Sequence, residues 1–294
     1  MPALRILYLG DDQEGCTALH RAAALRRIGH EVPHVPTKVY TMAGNRIAAK
    51  FHYRTGYAVR QRSIHRQLSD TVGATRYDVA WVDSGAWCGA NIARFLKSIA
   101  NRTILLNLDD PTGKRDTGRW NSLRKAIGEF DLCAVVRPES QLEFKSHGAK
   151  NAIRIWRGYD EIEHSPLICE DLPAEKFRSD VAFIGTRFED RHRFMIDLIK
   201  RGVPLSIWGN GWKNGPGWQT IRPHWRGDSL AGSQYVAAIA HSKICLGLLS
   251  KGNRDQHTTR SSEIPFAGGL LCAERTQEHL DMYCEGTEAV FWKD

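Results

Sequence analysis

Hydrophobic and polar positions form short apolar runs separated by amphipathic stretches. Arg5–Gly10 (RILYLG) reads as a strand buried on both faces. The placing of Leu19, Ala23, Leu25 and Ile28 predicts a helix over Thr17–Ile28, stopped by Gly29, and Glu31–Val35 starts the next strand. Further strands are expected at Asp78–Val82, Thr103–Leu108, Asp131–Val136 and Ala152–Trp156, with helices around Ala90–Ile99, Trp120–Phe130 and Ser140–His147. The rhythm breaks over Tyr159–Ser179, which is acidic and carries Pro166 and Pro173. A second series follows. Its strands are expected at Asp180–Ile184, Pro204–Trp208, Ile244–Leu249, Gly269–Ala273 and Ala289–Trp292, and its helices around Arg191–Lys200, Ser233–His241 and Gln277–Tyr283. This alternation predicts an α/β chain of two Rossmann-like, doubly wound parallel-sheet domains, residues 1–160 and 179–294, joined by a linker at 161–178 and facing a cleft. Ligands of such sheets bind outside the carboxyl ends of the strands.

Composition fits a folded soluble chain: 294 residues, 42% apolar and 25% charged. No run has the length of a membrane span, and the start leads straight into a strand rather than a signal peptide. Cys16, Cys88, Cys133, Cys169, Cys245, Cys272 and Cys284 form no C-x-x-C pair and read as reduced residues of a cytoplasmic protein. The net charge of +8 is uneven. Lys38, Arg46, Lys50, Arg54, Arg60, Arg62 and Arg66 fall in a stretch with no Asp or Glu, interleaved with Tyr40, Phe51, Tyr53 and Tyr57. Two readings stand. One is a solvated face; the other is a contact surface for an anionic acceptor, a lipid head group at the inner face of a membrane, or nucleic acid. No nucleic-acid module signature accompanies the run.

Several loops carry candidate chemistry. Gly10-Asp11-Asp12-Gln13-Glu14-Gly15 follows the first strand, but its spacing is not that of a dinucleotide fingerprint or P-loop, and its acids would repel phosphate. Gly10 is instead expected in a polar loop that meets sugar hydroxyls, with His20 one helical turn further on either at that site or exposed. Asp109-Asp110-Pro111 reads as a turn or cap more readily than as a metal site. Gly185-Thr186-Arg187 follows the first strand of the second domain, where backbone amides, a hydroxyl and a guanidinium suit a diphosphate. Trp208-Gly209-Asn210-Gly211-Trp212 either brackets a base or sugar or plugs the core. The densest stretch is Arg254-Asp255-Gln256-His257-Thr258-Thr259-Arg260-Ser261-Ser262-Glu263. A helix starting near Thr259 would offer free amides to phosphate, with Asp255 and Glu263 gripping hydroxyls from two sides. Capping with exposed Arg is the alternative.

The segment from Arg254 to Phe291, with Val181–Gly185 and Leu205–Trp212, resembles CgeB-like (spore maturation protein type) glycosyltransferases of the GT-B superfamily, and Ile6–Val32 looks like their acceptor domain. The resemblance implies a nucleoside diphosphate sugar as donor, no cofactor, no obligatory metal, and retention at the anomeric carbon. These enzymes typically carry an E-x7-E motif. Glu263 matches the second Glu, implying a contact to the nucleotide ribose, and Asp255 stands at the first, one methylene short of the sugar ligand. Lys251, Arg254 and Arg260 become candidates for a diphosphate clamp, with Thr258 and Thr259 adding hydroxyls and amides. In these enzymes more helix normally follows the last strand, so a shortened chain or a compact variant is expected. A nucleotide-sugar epimerase or hydrolase, a non-catalytic binder, and a basic surface protein remain as other classes.

Overall fold

The computed structural model describes residues 2–42, 45–188 and 190–293; the side chain of Arg46, counted in the basic run, lies outside that description. The chain divides into two compact units, Met1–Trp156 and Arg157–Asp294. Each is a six-stranded, wholly parallel sheet with helices on both faces.

The first unit runs β1 (Ile6–Gly10), α1 (Thr17–Arg27), β2 (His34–Pro36), α2 (Lys38–Thr41), α3 (Arg46–Arg54), α4 (Gln61–Val72), β3 (Tyr77–Asp83), α5 (Ala90–Ile99), β4 (Ala100–Asn107), α6 (Asn121–Arg124), β5 (Leu132–Val135), α7 (Pro138–Ser146) and β6 (Ala152–Arg154). The strand order is β2-β1-β3-β4-β5-β6. Every residue of β1 is buried, as a strand covered on both faces requires. Its alternate side chains serve different cores: Leu7 and Leu9 pack with Ile64, Leu68, Ile92 and Leu96, while Ile6 and Tyr8 pack with Ala18, Ala22 and Val32. The small residues of α1 let it lie close, because a Cβ on Gly10 would stand 3.3 Å from that of Ala18.

The basic stretch is not a bare solvated face. It folds into α2, α3, a 3-10 turn at Ala58–Arg60 and α4, pinned by buried Tyr40 and Tyr57. The helix expected over Trp120–Phe130 is broken into a 3-10 turn at Thr117–Trp120, α6 and a 3-10 turn at Ile127–Glu129. Glycines at both ends explain this. A Cβ on Gly118 would stand 2.2 Å from the Arg54 carbonyl, and one on Gly128 3.1 Å from that of Gly148. The chain turns tightly to make these backbone contacts.

The second unit contains α8 (Ala174–Phe177), β7 (Ser179–Ile184), α9 (Arg191–Lys200), β8 (Leu205–Trp208), α10 (Trp218–Ile221), β9 (Trp225–Gly227), α11 (Gly232–Ala240), β10 (Ser242–Gly247), α12 (Arg260–Phe266), β11 (Leu271–Glu274), α13 (Gln277–Met282) and β12 (Val290–Trp292). The strand order is β12-β11-β10-β7-β8-β9. Strand alternation again feeds two cores, Ala182, Ile184, Cys245, Leu271 and Ala273 on one face and Phe183, Leu205, Ile207 and Leu246 on the other. The segment expected as the linker belongs to this unit. Pro166–Cys169 forms a 3-10 turn, α8 follows, and Cys169 and Phe177 enter the core beside α11. Four cysteines (Cys88, Cys133, Cys169 and Cys245) are buried as free thiols, and burial pushes those of Cys133 and Cys245 up to about 12.

Candidate functional site

In each sheet the chain winds away from its first strand in both directions, so the switch point lies between β1 and β3 in the first unit and between β7 and β10 in the second. The candidate chemistry gathers at the carboxyl ends of these strands.

In the second unit, the loop after β7 is tied down from several sides. The guanidinium of Arg260 donates through Nε to the Ile184 carbonyl at 2.8 Å. Arg191 donates to the Thr186 carbonyl at 3.2 Å and to the Leu248 carbonyl at 3.1 Å, so it joins the loops that follow the two switch-point strands. Gly209, at φ +146°, lies so near that an added Cβ would stand 2.0 Å from the Gly185 carbonyl oxygen. The Trp212 indole donates to that same carbonyl at 2.9 Å. Trp212 is therefore a core plug. At 1% exposure it has no face to offer a base or sugar, which corrects its expected role as a ligand contact. Arg187 donates through Nε to the Gly211 carbonyl at 2.8 Å, and Thr186 lies beside it, exposed.

The helix expected near Thr259 is α12, with Thr259 at its N-cap position. Ser261 Oγ accepts from the Thr258 amide at 3.0 Å and contacts His279 Nε2 at 2.8 Å. His279 Nδ1 lies 2.6 Å from the Glu274 carbonyl, which can only accept. The proton therefore sits on Nδ1, and Nε2 accepts from Ser261. Burial holds His279 below its ordinary value and keeps it neutral for this task.

Glu263 is buried, and its Oε2 accepts from the Tyr235 hydroxyl at 2.7 Å while Oε1 lies 3.5 Å from His164 Nε2. Burial, reinforced by the Glu263 charge, lifts Tyr235 well above the usual phenol range, so it remains a donor. Burial works against the charge of Arg260, but Tyr235 and Glu263 more than offset this, so its guanidinium is held above its ordinary value.

Asp255 does not stand ready for a sugar. Its Oδ1 lies 3.1 Å from the Arg157 guanidinium, and the two side chains are 4% and 8% exposed. Arg157 also donates to the His257 carbonyl, its amide donates to His257 Nε2 at 3.1 Å, and its carbonyl accepts from Ser262. His257 in turn contacts Glu278 through Nδ1. Asp255 is thus a buried counter-charge to Arg157 on the loop before α12. Arg157 and Arg191 are the groups that sequence reasoning missed. Arg254 takes a left-handed backbone at φ 54° and is exposed, and Lys251 pairs with Glu274 at 3.4 Å.

A cavity of about 570 Å³ in this unit is lined by Arg191, Arg193, Arg201, Lys251, Glu274 and Trp292 among others. Of the expected site residues only Lys251 reaches it.

In the first unit, a cavity of about 450 Å³ opens at the β1/β3 switch point between Asp11, Tyr53, Tyr57, Asp83, Trp87 and Arg119. Asp83 ends β3 and is fixed by Tyr8, whose hydroxyl donates at 2.5 Å, and by Arg21, whose Nε donates at 2.8 Å. Arg119 lies over the Tyr53 and Trp120 rings and pairs with Asp109 at 3.3 Å. Asp110 is buried, and its carbonyl accepts from the Gly113 amide in a turn. His20 is half-buried on α1 and is not among the residues that line the cavity. Gly10 accepts through its carbonyl from the Thr37 amide, and its Cβ position is filled by the Tyr8 ring. Its place is a packing requirement rather than a ligand contact. Among the described residues no group of three or more His, Cys, Asp or Glu is arranged to hold a metal ion.

Residues 190–294 match a family described as glycosyl transferase-like. A comparison with curated proteins finds no match. Among solved structures, an α-glucosyltransferase in complex with UDP and DNA is similar at TM-score 0.63 and 12% identity, covering 93% of this chain and 80% of that one. A UDP-forming α,α-trehalose-phosphate synthase from Burkholderia xenovorans is similar at TM-score 0.64 and 12% identity, covering 98% and 88%. A UDP-N-acetylglucosamine 2-epimerase from Rickettsia bellii is similar at TM-score 0.59 and 9% identity, covering 93% and 80%. The fold is GT-B. At such identities the likeness reports architecture, and the epimerase shares it with the transferases.

Proposed function

We propose that this protein is a glycosyltransferase that moves a hexosyl group from a nucleoside diphosphate sugar, bound at the second unit, to an acceptor bound at the first. The observation that carries the reading is the glycosyl transferase-like match over residues 190–294, the segment that supplies Arg191, Arg260 and Glu263 to the β7/β10 switch point. Glu263 is the ribose ligand: it is a buried carboxylate with one oxygen engaged by Tyr235, and a diol would compete for the other. Arg260, Arg187 and the Thr186 amide take the diphosphate. Arg254 and Lys251, on the loop before α12, extend the cationic rim, and Thr258 and Thr259 on that loop add hydroxyls.

Negative charge grows on the departing diphosphate as the glycosidic bond breaks. Fixed cations bound into the scaffold stabilise that charge without reorganising, which lowers the barrier selectively. Retention at the anomeric carbon, with an oxocarbenium-like transition state, and independence from a metal ion and from any cofactor complete the reading.

Ligand-induced thermal stabilisation tests it. Uridine diphosphate heads the panel of nucleotides, since the solved structures of like fold include UDP complexes and UDP-forming enzymes. At about 100 times its dissociation constant a nucleotide adds about 2.7 kcal/mol of stability. The gain is expected in wild type and lost in Glu263→Gln. No stabilisation by any nucleoside diphosphate overturns the proposal. An epimerase is the second reading, favoured by the Rickettsia structure. It would convert the nucleotide sugar with no acceptor present and release no free diphosphate.

A further inference from the structure

We propose that α2, α3 and the turn at Ala58–Arg60 dock the first unit on an anionic lipid surface. Helix α3 has two faces. Ala49 and Tyr53 line the cavity of the first unit, whereas Ile47, Lys50, Phe51 and Arg54 follow an i, i+3, i+4, i+7 stripe and are all exposed. Ile47 is 81% and Phe51 53% exposed, and neighbouring Val39 and Val59 are 59% and 70% exposed. The segment is not loosely attached, because Tyr40 and Tyr57 are buried and Tyr40 packs on Trp87 at 5.3 Å between ring centroids. The apolar side chains therefore point outward from an anchored frame.

An exposed apolar stripe alone names no partner, but its charge does. No acidic residue occurs between Lys38 and Arg66, and Lys50 and Arg54 alternate with Ile47 and Phe51 on one face. Cations that flank shallow apolar side chains suit the head-group boundary of a bilayer rich in anionic lipid, where the charges meet phosphates and the apolar groups enter the acyl edge. Double-stranded nucleic acid would use the cations and leave Ile47, Phe51, Val39 and Val59 in water. This surface is independent of the donor site and of the proposed activity.

Sedimentation of the full chain with vesicles tests the proposal. Vesicles of equal parts phosphatidylcholine and phosphatidylglycerol are expected to bind it, and vesicles of phosphatidylcholine alone to bind it far more weakly. Each cation near the surface contributes about fivefold in partitioning, so Lys50→Gln/Arg54→Gln should weaken binding about 25-fold. Ile47→Ser/Phe51→Ser should weaken it independently, at unchanged thermal stability, since all four side chains are exposed. Raising salt should reproduce the loss seen with the Gln pair and leave the apolar contribution. Failure to bind either vesicle overturns the proposal. So does vesicle binding that all four substitutions leave intact. Binding of a single-stranded oligonucleotide that depends on Lys50 and Arg54, without vesicle binding, would overturn it too and assign the face to nucleic acid instead.

Discussion

Replacing Asp255 by Asn separates its structural role from a catalytic one. The substitution keeps the size of the side chain and removes its charge, leaving the Arg157 guanidinium buried beside a neutral amide. The pair is 3.1 Å apart with both side chains under a tenth exposed, so solvent screens it little. At an effective dielectric constant of about 20, a contact at that distance is worth about 5 kcal/mol before desolvation. Breaking one side of a buried pair costs about 3–5 kcal/mol, because the remaining charge stays out of water. For a unit of this size such a loss lowers the melting temperature by roughly 10–15 °C. The double replacement Arg157→Met/Asp255→Leu removes both charges and should recover most of the loss. Urea denaturation followed by tryptophan emission measures the difference, and hydrogen exchange over residues 250–262 assigns it to the second unit. A midpoint for Asp255→Asn within about 1 kcal/mol of wild type would refute the reasoning, since that is less than any broken buried pair should cost. If turnover fell at unchanged stability, Asp255 would be a ligand of the donor after all.

Three further outcomes rest on the same geometry. Gly209→Ala forces a Cβ against the Gly185 carbonyl at φ +146°, so a loss of about 3 kcal/mol or more is expected, and an unfolding midpoint equal to that of wild type would contradict it. Tyr8→Phe removes the hydroxyl that donates to Asp83 but spares Arg21, and should cost about 1–3 kcal/mol in denaturant unfolding. His279 titrates below its ordinary value of 6.5 in the native state, so the unfolded chain takes up the proton first as pH falls. Its contribution to stability is fully present above 6.5 and is lost as pH falls from there through the lower native value. His279→Gln should flatten the pH dependence of the melting temperature in that window, and an unchanged slope would contradict the assignment.

The periodic elements of both sheets were legible because the first strand of each is largely buried on two faces. Ile6–Gly10 and Phe183–Ile184 read as apolar runs whatever lies around them. Strand β9 went unread because Trp225–Gly227 is three residues long and shows no period. Helix α3 went unread for a different reason. Ile47 and Phe51 point outward, so the apolar stripe that marks a helix does not face the core. A pattern shaped by an outside partner reads as noise when the only partner considered is the interior.

The site was legible in part, and the limit is one of distance along the chain. Glu263, Arg260, Thr258 and the Gly185–Arg187 loop could be nominated because their local pattern suits a phosphate loop and a helix start. What each side chain meets could not be read. Arg157 and Asp255 are 98 residues apart in sequence, yet they neutralise each other. Sequence spacing ranks Asp255 with Glu263 as two acids flanking a helix start. Their partners separate them, since both are buried but Asp255 pairs with a fixed guanidinium, whereas Glu263 accepts from a neutral phenol and lies near His164. A carboxylate with one oxygen held by Tyr235 can offer its other oxygen to a ligand hydroxyl without leaving a charge unpaired. A carboxylate that balances Arg157 cannot leave it without stranding a charge. The two acids therefore differ in what they are free to do. Ligand binding that depends on Glu263, with folding that depends on Asp255, is the pattern this asymmetry demands.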